Sequence, residues 1–224
     1  MVRKGSRVQI SIAAPFLFLD STHYMKKTFY EKHVASYQKV TDLWFPGRHK
    51  KLIRLINNRL QPKKVLDVAC GTGSMINRMK KHFPDSHFYG IDASKPMIEF
   101  AANNCSDCIF KQASADDLPF KSGSFDVVTN SISFHHYLKP AEAILESYRV
   151  LKPGGQFILM DITPKYNLSR VINDFAAKYI IRDGHVGFHK LSSVKNMLES
   201  SGFNEVKQHF VGIPGVYITS GIKP

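Results

Sequence analysis

Lys63-Lys64-Val65-Leu66-Asp67-Val68-Ala69-Cys70-Gly71-Thr72-Gly73-Ser74 decides the reading of this 224-residue chain. A short, β-branched apolar run ends in a glycine turn, and Met75, Ile76, Met79 and Phe83 then recur at helical spacing. Strand, glycine turn and helix in that order open a βαβ unit. Upstream, His49, Leu52, Ile53, Ile56 and Leu60 mark a helix that Pro62 stops. Downstream, strands are expected at His87–Ile91, Cys108–Ala113, Phe125–Asn130 and Gln156–Asp161. Between the second and third lies a helix capped by Ser94 that tolerates Pro96 in its first turn. A further helix carries Ala141, Ile144, Leu145, Tyr148 and Leu151 on one face and ends at Pro153-Gly154-Gly155. Such alternation predicts right-handed crossovers around a parallel sheet. After a helix near Leu191–Ser200, the runs Phe203–Val211 and Val216–Ile222 are joined only by Gly212–Gly215. So short a link excludes a helical crossover and predicts an antiparallel hairpin at the end of the sheet.

The glycine turn sits at the carboxyl end of the first strand, where backbone can approach a ligand and the next helix presents free N–H groups. A pyrophosphate-binding turn would read G-x-G-x-x-G, but Gly71-x-Gly73 is followed by Ile76 in the third glycine's place. Asp67 beside the glycines would repel a pyrophosphate and suit a cationic amine or sulfonium. Asp92, 25 residues on, ends the second strand where a carboxylate either accepts ribose hydroxyls or caps a helix. Together they point to a positively charged nucleoside.

Hydrophobic residues make up 43% of the chain and charged residues 22%, which excludes coiled-coil, collagen-like and wholly disordered readings. The net charge of +13 is concentrated: residues 1–64 hold 14 Lys/Arg against three acids, a balance of +11. This segment is either a solvated face or a contact surface for phosphates or an anionic membrane. The apolar run Val8–Leu19 is shorter than the ~20 residues a bilayer span needs, and no clear cleavage site follows it. Residues 1–24 are read as a flexible or upstream-translated extension with Met25 as the functional start, and 25–224 as one domain. Its parts are a helical cap (25–62), a cofactor-binding core (63–163), a lid insertion (164–200) and the terminal hairpin (201–224). Three cysteines, an odd count, favour reduced thiols and a cytoplasmic location.

The motifs Val65-Leu66-Asp67-Val68-Ala69-Cys70-Gly71-Thr72-Gly73, Gly90-Ile91-Asp92-Ala93-Ser94, Asp117-Leu118-Pro119-Phe120, Ser124-Phe125-Asp126-Val127-Val128 and Arg149-Val150-Leu151-Lys152-Pro153-Gly154-Gly155 resemble the class I S-adenosylmethionine-dependent methyltransferases. Within that superfamily the chain is similar to the group that includes the ubiquinone and menaquinone biosynthesis methyltransferases. The resemblance runs from about Phe29 to Lys223. It implies an α/β, Rossmann-like three-layer sandwich with a seven-stranded, mostly parallel sheet and an antiparallel C-terminal hairpin. It also implies S-adenosylmethionine as cofactor and S-adenosylhomocysteine as product.

Residue by residue, the resemblance implies that Asp67, Ala69, Gly71, Thr72 and Gly73 cradle the methionine part and that Asp92 holds the ribose. Ala93 and Met97 would pack against the adenine, with core filling the alternative for Met97. Relatives commonly have an aspartate for the adenine amino group where this chain has Ser114, within Ala113-Ser114-Ala115-Asp116-Asp117; either Ser114 or Asp116 would take that contact. Asn130 and Ser131 would hold the methionine amine through backbone carbonyls, and Tyr37 in the cap would approach the cofactor carboxylate. Tyr37 reads equally as a packing residue.

The acceptor pocket belongs beyond the strand ends, near Ser133, Phe134, His135, His136, Tyr137, Asp161, Thr163 and Pro164. His135 or His136 with Asp161 is a candidate general base. A metal is not expected, because adjacent histidines usually diverge and no third spaced ligand follows. Cys105-x-x-Cys108 lacks a second cysteine pair and reads as incidental thiols. Aromatic residues in the cap and lid (Phe29, Tyr30, Trp44, Phe45, Tyr166, Phe175 and Tyr179) suit a small apolar or aromatic methyl acceptor, or serve only lid packing. Stable nucleic-acid binding is not expected, since Asn130-Ser131-Ile132-Ser133 lacks the Asn/Asp-Pro-Pro-aromatic motif of amino-methylating DNA enzymes. A catalytically inactive binding or assembly protein on the same fold, and an RNA methyltransferase, are the alternative readings.

Overall fold

A computed structural model of the protein describes residues 34, 47–56, 61–163, 187–212 and 215–224. Along the chain come α1 (Arg48–Leu55), β1 (Lys64–Val68), α2 (Ser74–Lys80), β2 (His87–Asp92), α3 (Lys95–Asn104), β3 (Ile109–Gln112), β4 (Phe125–Ser131), a 3-10 turn (Phe134–His136), α4 (Pro140–Val150), β5 (Leu151–Ile162), α5 (Leu191–Ser200), β6 (Asn204–Phe210) and β7 (Val216–Ile222). The extension at 1–24, Tyr37 and the cap and lid aromatics lie outside the described residues.

The seven strands form one sheet in the order β3-β2-β1-β4-β5-β7-β6. The first five are parallel to their neighbours, whereas β7 runs antiparallel to both β5 and β6. The expected terminal hairpin is therefore present, with its second strand inserted next to β5. Strand order reverses between β1 and β4, and the crevice at that switch point is where open α/β sheets bind ligands.

Alternation along the strands builds two cores. Val65, Val127, Ile158 and Met160 bury one face with α1 and α2 through Leu52, Ile53, Met75, Ile76 and Met79. Leu66, Val68, Val128, Phe157 and Leu159 bury the other with α4 and α5 through Ile144, Val150, Val194 and Leu198. Helices thus cover both faces, giving the expected three layers.

Two local expectations need correction. The buried face of α4 is Ala143, Ile144, Ser147 and Val150, while Leu145 is half exposed. Ser147 can face the core because its hydroxyl donates to the Ala143 carbonyl at 2.8 Å. In addition, β5 starts at Leu151, so Pro153-Gly154-Gly155 lies inside the strand. A register shift against β4 between Phe125 and Val127 accommodates those residues.

Gly90, in the middle of β2, makes room for two neighbours: a Cβ there would lie 2.7 Å from Phe110 Cδ1 and 2.8 Å from Cys70 Sγ. Neither can retreat, since Cys70 is buried and Phe110 packs against the first core. Gly90→Ala is expected to cost about 2 kcal/mol by overpacking, read as a lower thermal midpoint.

Candidate functional site

At the carboxyl ends of β1 and β4 the backbone departs from ordinary geometry. Ala69 and Ile132 both have φ of 54°, and Gly71 and Gly73 have φ of 53° and 75°. Positive φ in alanine and isoleucine costs about 1–3 kcal/mol each, and such strain clusters at ligand sites. Gly73 serves a close approach as well: a Cβ would sit 3.3 Å from Ala101 Cβ and 3.4 Å from Phe110 Cζ.

Register brings Asp67 opposite Thr129 and Val68 opposite Asn130. The Thr129 hydroxyl donates to Asp67 Oδ1 at 2.7 Å. Asp67 is 2% exposed, and burial, opposed by the Thr129 hydrogen bond and reinforced by the Asp92 charge, pushes its carboxyl up to about 7. Burial likewise raises Asp92, against the backbone N–H groups that hold it. Its Oδ2 accepts from Gly71 N–H at 2.9 Å and its Oδ1 from Ser94 N–H at 2.9 Å. Asp92 thus holds the residue that precedes α3 and braces the glycine turn at once, whereas the expected cap Ser94 makes no side-chain cap bond.

Two buried hydroxyls, Ser94 Oγ and Ser131 Oγ, have no hydrogen-bond partner among the described residues. A buried acid, a half-buried one and two unsatisfied hydroxyls around a strained glycine turn suit a polar ligand carrying positive charge and hydroxyl donors.

The third motif is built from paired side chains. The Ser114 hydroxyl donates to Asp116, which also faces Lys139 at 3.6 Å. The Ser114 hydrogen bond comes first among the causes that hold Asp116 below the usual carboxylate range. The segment behind it is pinned by Arg149, which donates to the Leu118 and Phe120 carbonyls at 2.9 and 2.7 Å. Ala93 is exposed and Met97 is buried at 3%. Asn130 is buried, its amide donating to the Val68 carbonyl at 2.9 Å and to the Tyr137 hydroxyl at 2.5 Å.

Beyond β4 and β5 the two predicted catalytic elements meet. His135 Nδ1 lies 2.7 Å from Asp161 Oδ1, and the His135 backbone N–H donates to Asp161 Oδ2 at 2.8 Å. Both residues are buried. His136 does not diverge as expected: its ring centroid lies 4.1 Å from that of His135. Gly187 N–H donates to the His135 carbonyl at 3.2 Å, and the Phe188 ring approaches at 5.5 Å, so residues 187–188 pack over His135.

Sequence reasoning missed Thr129 and gave Tyr137 too narrow a part. Thr129 could have been found by setting β1 and β4 in parallel register, which pairs it with Asp67. Tyr137 was assigned only to the pocket. Its hydroxyl feels the charges of both Asp92 and Asp161, and burial holds it well above the usual phenol range. Through its bond with Asn130, which also holds the Val68 carbonyl, Tyr137 ties the turn after β4 to the end of β1.

The cysteine expectation is overturned, because Cys105 and Cys108 form a disulfide. With Asp107 they are also the group among the described residues whose spacing could hold a metal ion. Paired sulfurs offer no thiolate to an ion. Cys70 is buried, and desolvation pushes its thiol up, which marks it as inert.

Residues 66–159 match the profile of a family described as "Methyltransferase domain". A demethylmenaquinone methyltransferase of Thermus thermophilus is 35% identical over 107 residues, which are 46% of this chain and 49% of that protein. A ubiquinone/menaquinone biosynthesis C-methyltransferase of Ruegeria is 28% identical over 190 residues, covering 80% of this chain and 76% of its own length. The chain thus spans about half of the Thermus relative and three quarters of the Ruegeria one. Among solved structures, phosphoethanolamine N-methyltransferase 2 of Haemonchus contortus, in complex with S-adenosylmethionine, superposes with a TM-score of 0.75 at 14% identity. That alignment covers 91% of this chain and 60% of the other. Residues 66–159 thus match a methyltransferase domain, on a fold shared with a solved methyltransferase. The chain is thus similar to methyltransferases of demethylmenaquinone and of ubiquinone/menaquinone biosynthesis.

The elevated Asp67 carboxyl yields a prediction about the protein without cofactor. Its folded-state value exceeds the unfolded one, so the stability tied to its neutral form is complete below about 4. That stability is lost as pH rises toward 7, by up to about 4 kcal/mol. Asp67→Asn is expected to raise the thermal midpoint at pH 8 by several degrees. The advantage should shrink as pH falls toward 4, which calorimetry across that range checks.

Proposed function

We propose that the protein transfers the methyl group of S-adenosylmethionine to a small aromatic acceptor bearing an ionisable hydroxyl or an activated ring carbon. His135 would take the acceptor's proton. The observation that carries this reading is the buried His135–Asp161 contact at 2.7 Å, beyond the ends of β4 and β5. Quinone-type acceptors are favoured because the relatives named above are methyltransferases of demethylmenaquinone and of ubiquinone/menaquinone biosynthesis.

Asp67, Ala69, Gly71, Thr72 and Gly73 would hold the methionine part, Asp92 the ribose, and Ala93, Met97, Ser114, Ala115 and Asp116 the adenine side. Asn130 and Ser131 would hold the amine. When bound, the cofactor supplies a methyl group on a sulfonium, a leaving group that needs no further activation. The chain's task is then alignment, exclusion of water and removal of a proton. With Nδ1–H donated to Asp161, His135 presents Nε2 as the proton acceptor, and Asp161 stabilises the imidazolium that forms.

No described helix is long and apolar enough to cross a membrane. A cytoplasmic location belongs to the proposed reading. The test is transfer of labelled methyl from S-adenosylmethionine to a panel of hydroquinones, hydroxynaphthalenes and simple phenols, with NMR assignment of the methylated atom. Turnover on at least one hydroxyarene is expected. Binding of S-adenosylhomocysteine with no transfer to any acceptor would favour a non-catalytic binding protein.

A further inference from the structure

We propose that Cys105 and Cys108 form a redox-active site that exchanges with dithiol reductants and low-molecular-weight disulfides, with Cys105 as the stabilised leaving thiolate. The pair joins the end of α3 to the start of β3, with a Cα–Cα distance of 5.5 Å. Lys80, at the end of α2, directs its ammonium at Cys105 Sγ at 3.4 Å and also pairs with Asp107. Asp107 Oδ1 itself lies 3.5 Å from that sulfur. The ammonium therefore offsets the Asp107 carboxylate, which would oppose a negative charge on Cys105. A cation beside a sulfur lowers the thiol's proton affinity, and a thiol of lower affinity leaves faster.

Exposure sets the direction of attack. Cys105 is 5% exposed, whereas Cys108 is only partly buried. An incoming thiolate bonds to Cys108 Sγ, the Cys108–Cys105 bond breaks, and its electron pair stays on Cys105 beside Lys80. The second thiol of the reductant then attacks its own sulfur in the mixed disulfide and releases Cys108 as a thiolate. The reductant ends as a disulfide, and the protein gains two electrons and, after protonation, two protons.

This site adjoins the proposed cofactor site. Ala101, four residues before Cys105, and Phe110, two residues after Cys108, are the two side chains packed against Gly73. The disulfide ties together the two elements that back the glycine turn. Its opening loosens that wall and weakens cofactor binding, a coupling that rests on the methyltransferase reading.

The test treats the full-length protein with dithiothreitol, quenches by alkylation and follows the Cys105–Cys108 peptide by mass spectrometry. The native fold is expected to be reduced reversibly, with limiting glutathione captured on Cys108. Lys80→Met is expected to slow reduction at pH 7 about tenfold. Resistance to reductant until unfolding, capture on Cys105, or equal rates in Lys80→Met overturns the proposal. In a second arm, S-adenosylhomocysteine is titrated into the oxidised and reduced forms, and about fivefold weaker binding is expected when reduced. Equal affinities overturn the coupling. Absence of binding in both forms counts against the cofactor reading, and the exchange rates decide the thiol chemistry separately.

Discussion

Replacing His135 with asparagine is expected to lower methyl-transfer turnover about 100- to 10,000-fold, the range in which a positioned general base contributes. Asparagine is uncharged and cannot take a proton, but its smaller amide can still face Asp161. The backbone N–H of residue 135 also keeps its 2.8 Å bond to Asp161 Oδ2, so the turn after β4 should persist. Affinity for S-adenosylhomocysteine should therefore stay within about twofold, since the glycine turn and both acids are untouched. Single-turnover kinetics beside calorimetric titration separate the two quantities. A variant with wild-type turnover would reduce the His135–Asp161 contact to a structural role. Asp161→Asn should lose less, because imidazole remains while its tautomer is no longer fixed.

The second large effect is expected at Asp92. Its carboxylate accepts two backbone N–H groups, from Gly71 and Ser94, and alanine removes both acceptors together with those proposed for the ribose hydroxyls. Hydrogen bonds to a charged group are worth about 1.5–3 kcal/mol each. Loss of two such contacts to the ligand predicts affinity for S-adenosylhomocysteine about 100-fold weaker or worse. Asp92→Asn keeps one oxygen acceptor and should fall between. Titration of the three proteins gives the order, and equal affinities would remove Asp92 from the ribose site.

The architecture was legible because its determinants are local. Strand runs bounded by Gly, Pro and Asp placed all seven strands, and the four-residue Gly212–Gly215 link forced an antiparallel end. The face of α4 was misread because Leu145 looks more core-like than Ser147, yet an internal hydrogen bond lets the serine turn inward. Asp67 was legible as an unusual acid in a glycine turn, but its partner Thr129 lies 62 residues away and emerges only from strand register. The cysteine pair was misjudged for a similar reason. Lys80 is 25 residues from Cys105 in sequence, and nothing local announces that the two meet.

The placement of β7 has a consequence for biogenesis. Residues 216–222 fill the gap between β5 and β6, and Lys223 beyond them donates to the Tyr148 and Leu151 carbonyls, both at 2.8 Å. A ribosome must therefore release residue 222 from its tunnel before β5, made more than 50 residues earlier, can pair along its free side. Until then the chain carries an open edge that includes Ile158 and Met160, both wholly buried in the finished fold. Non-local pairing of this kind is slow, and unpaired edges are prone to aggregation. Slow translation through the last crossover would lengthen that exposure, so yield in the cell should depend on elongation rate and on chaperones that shield strand edges.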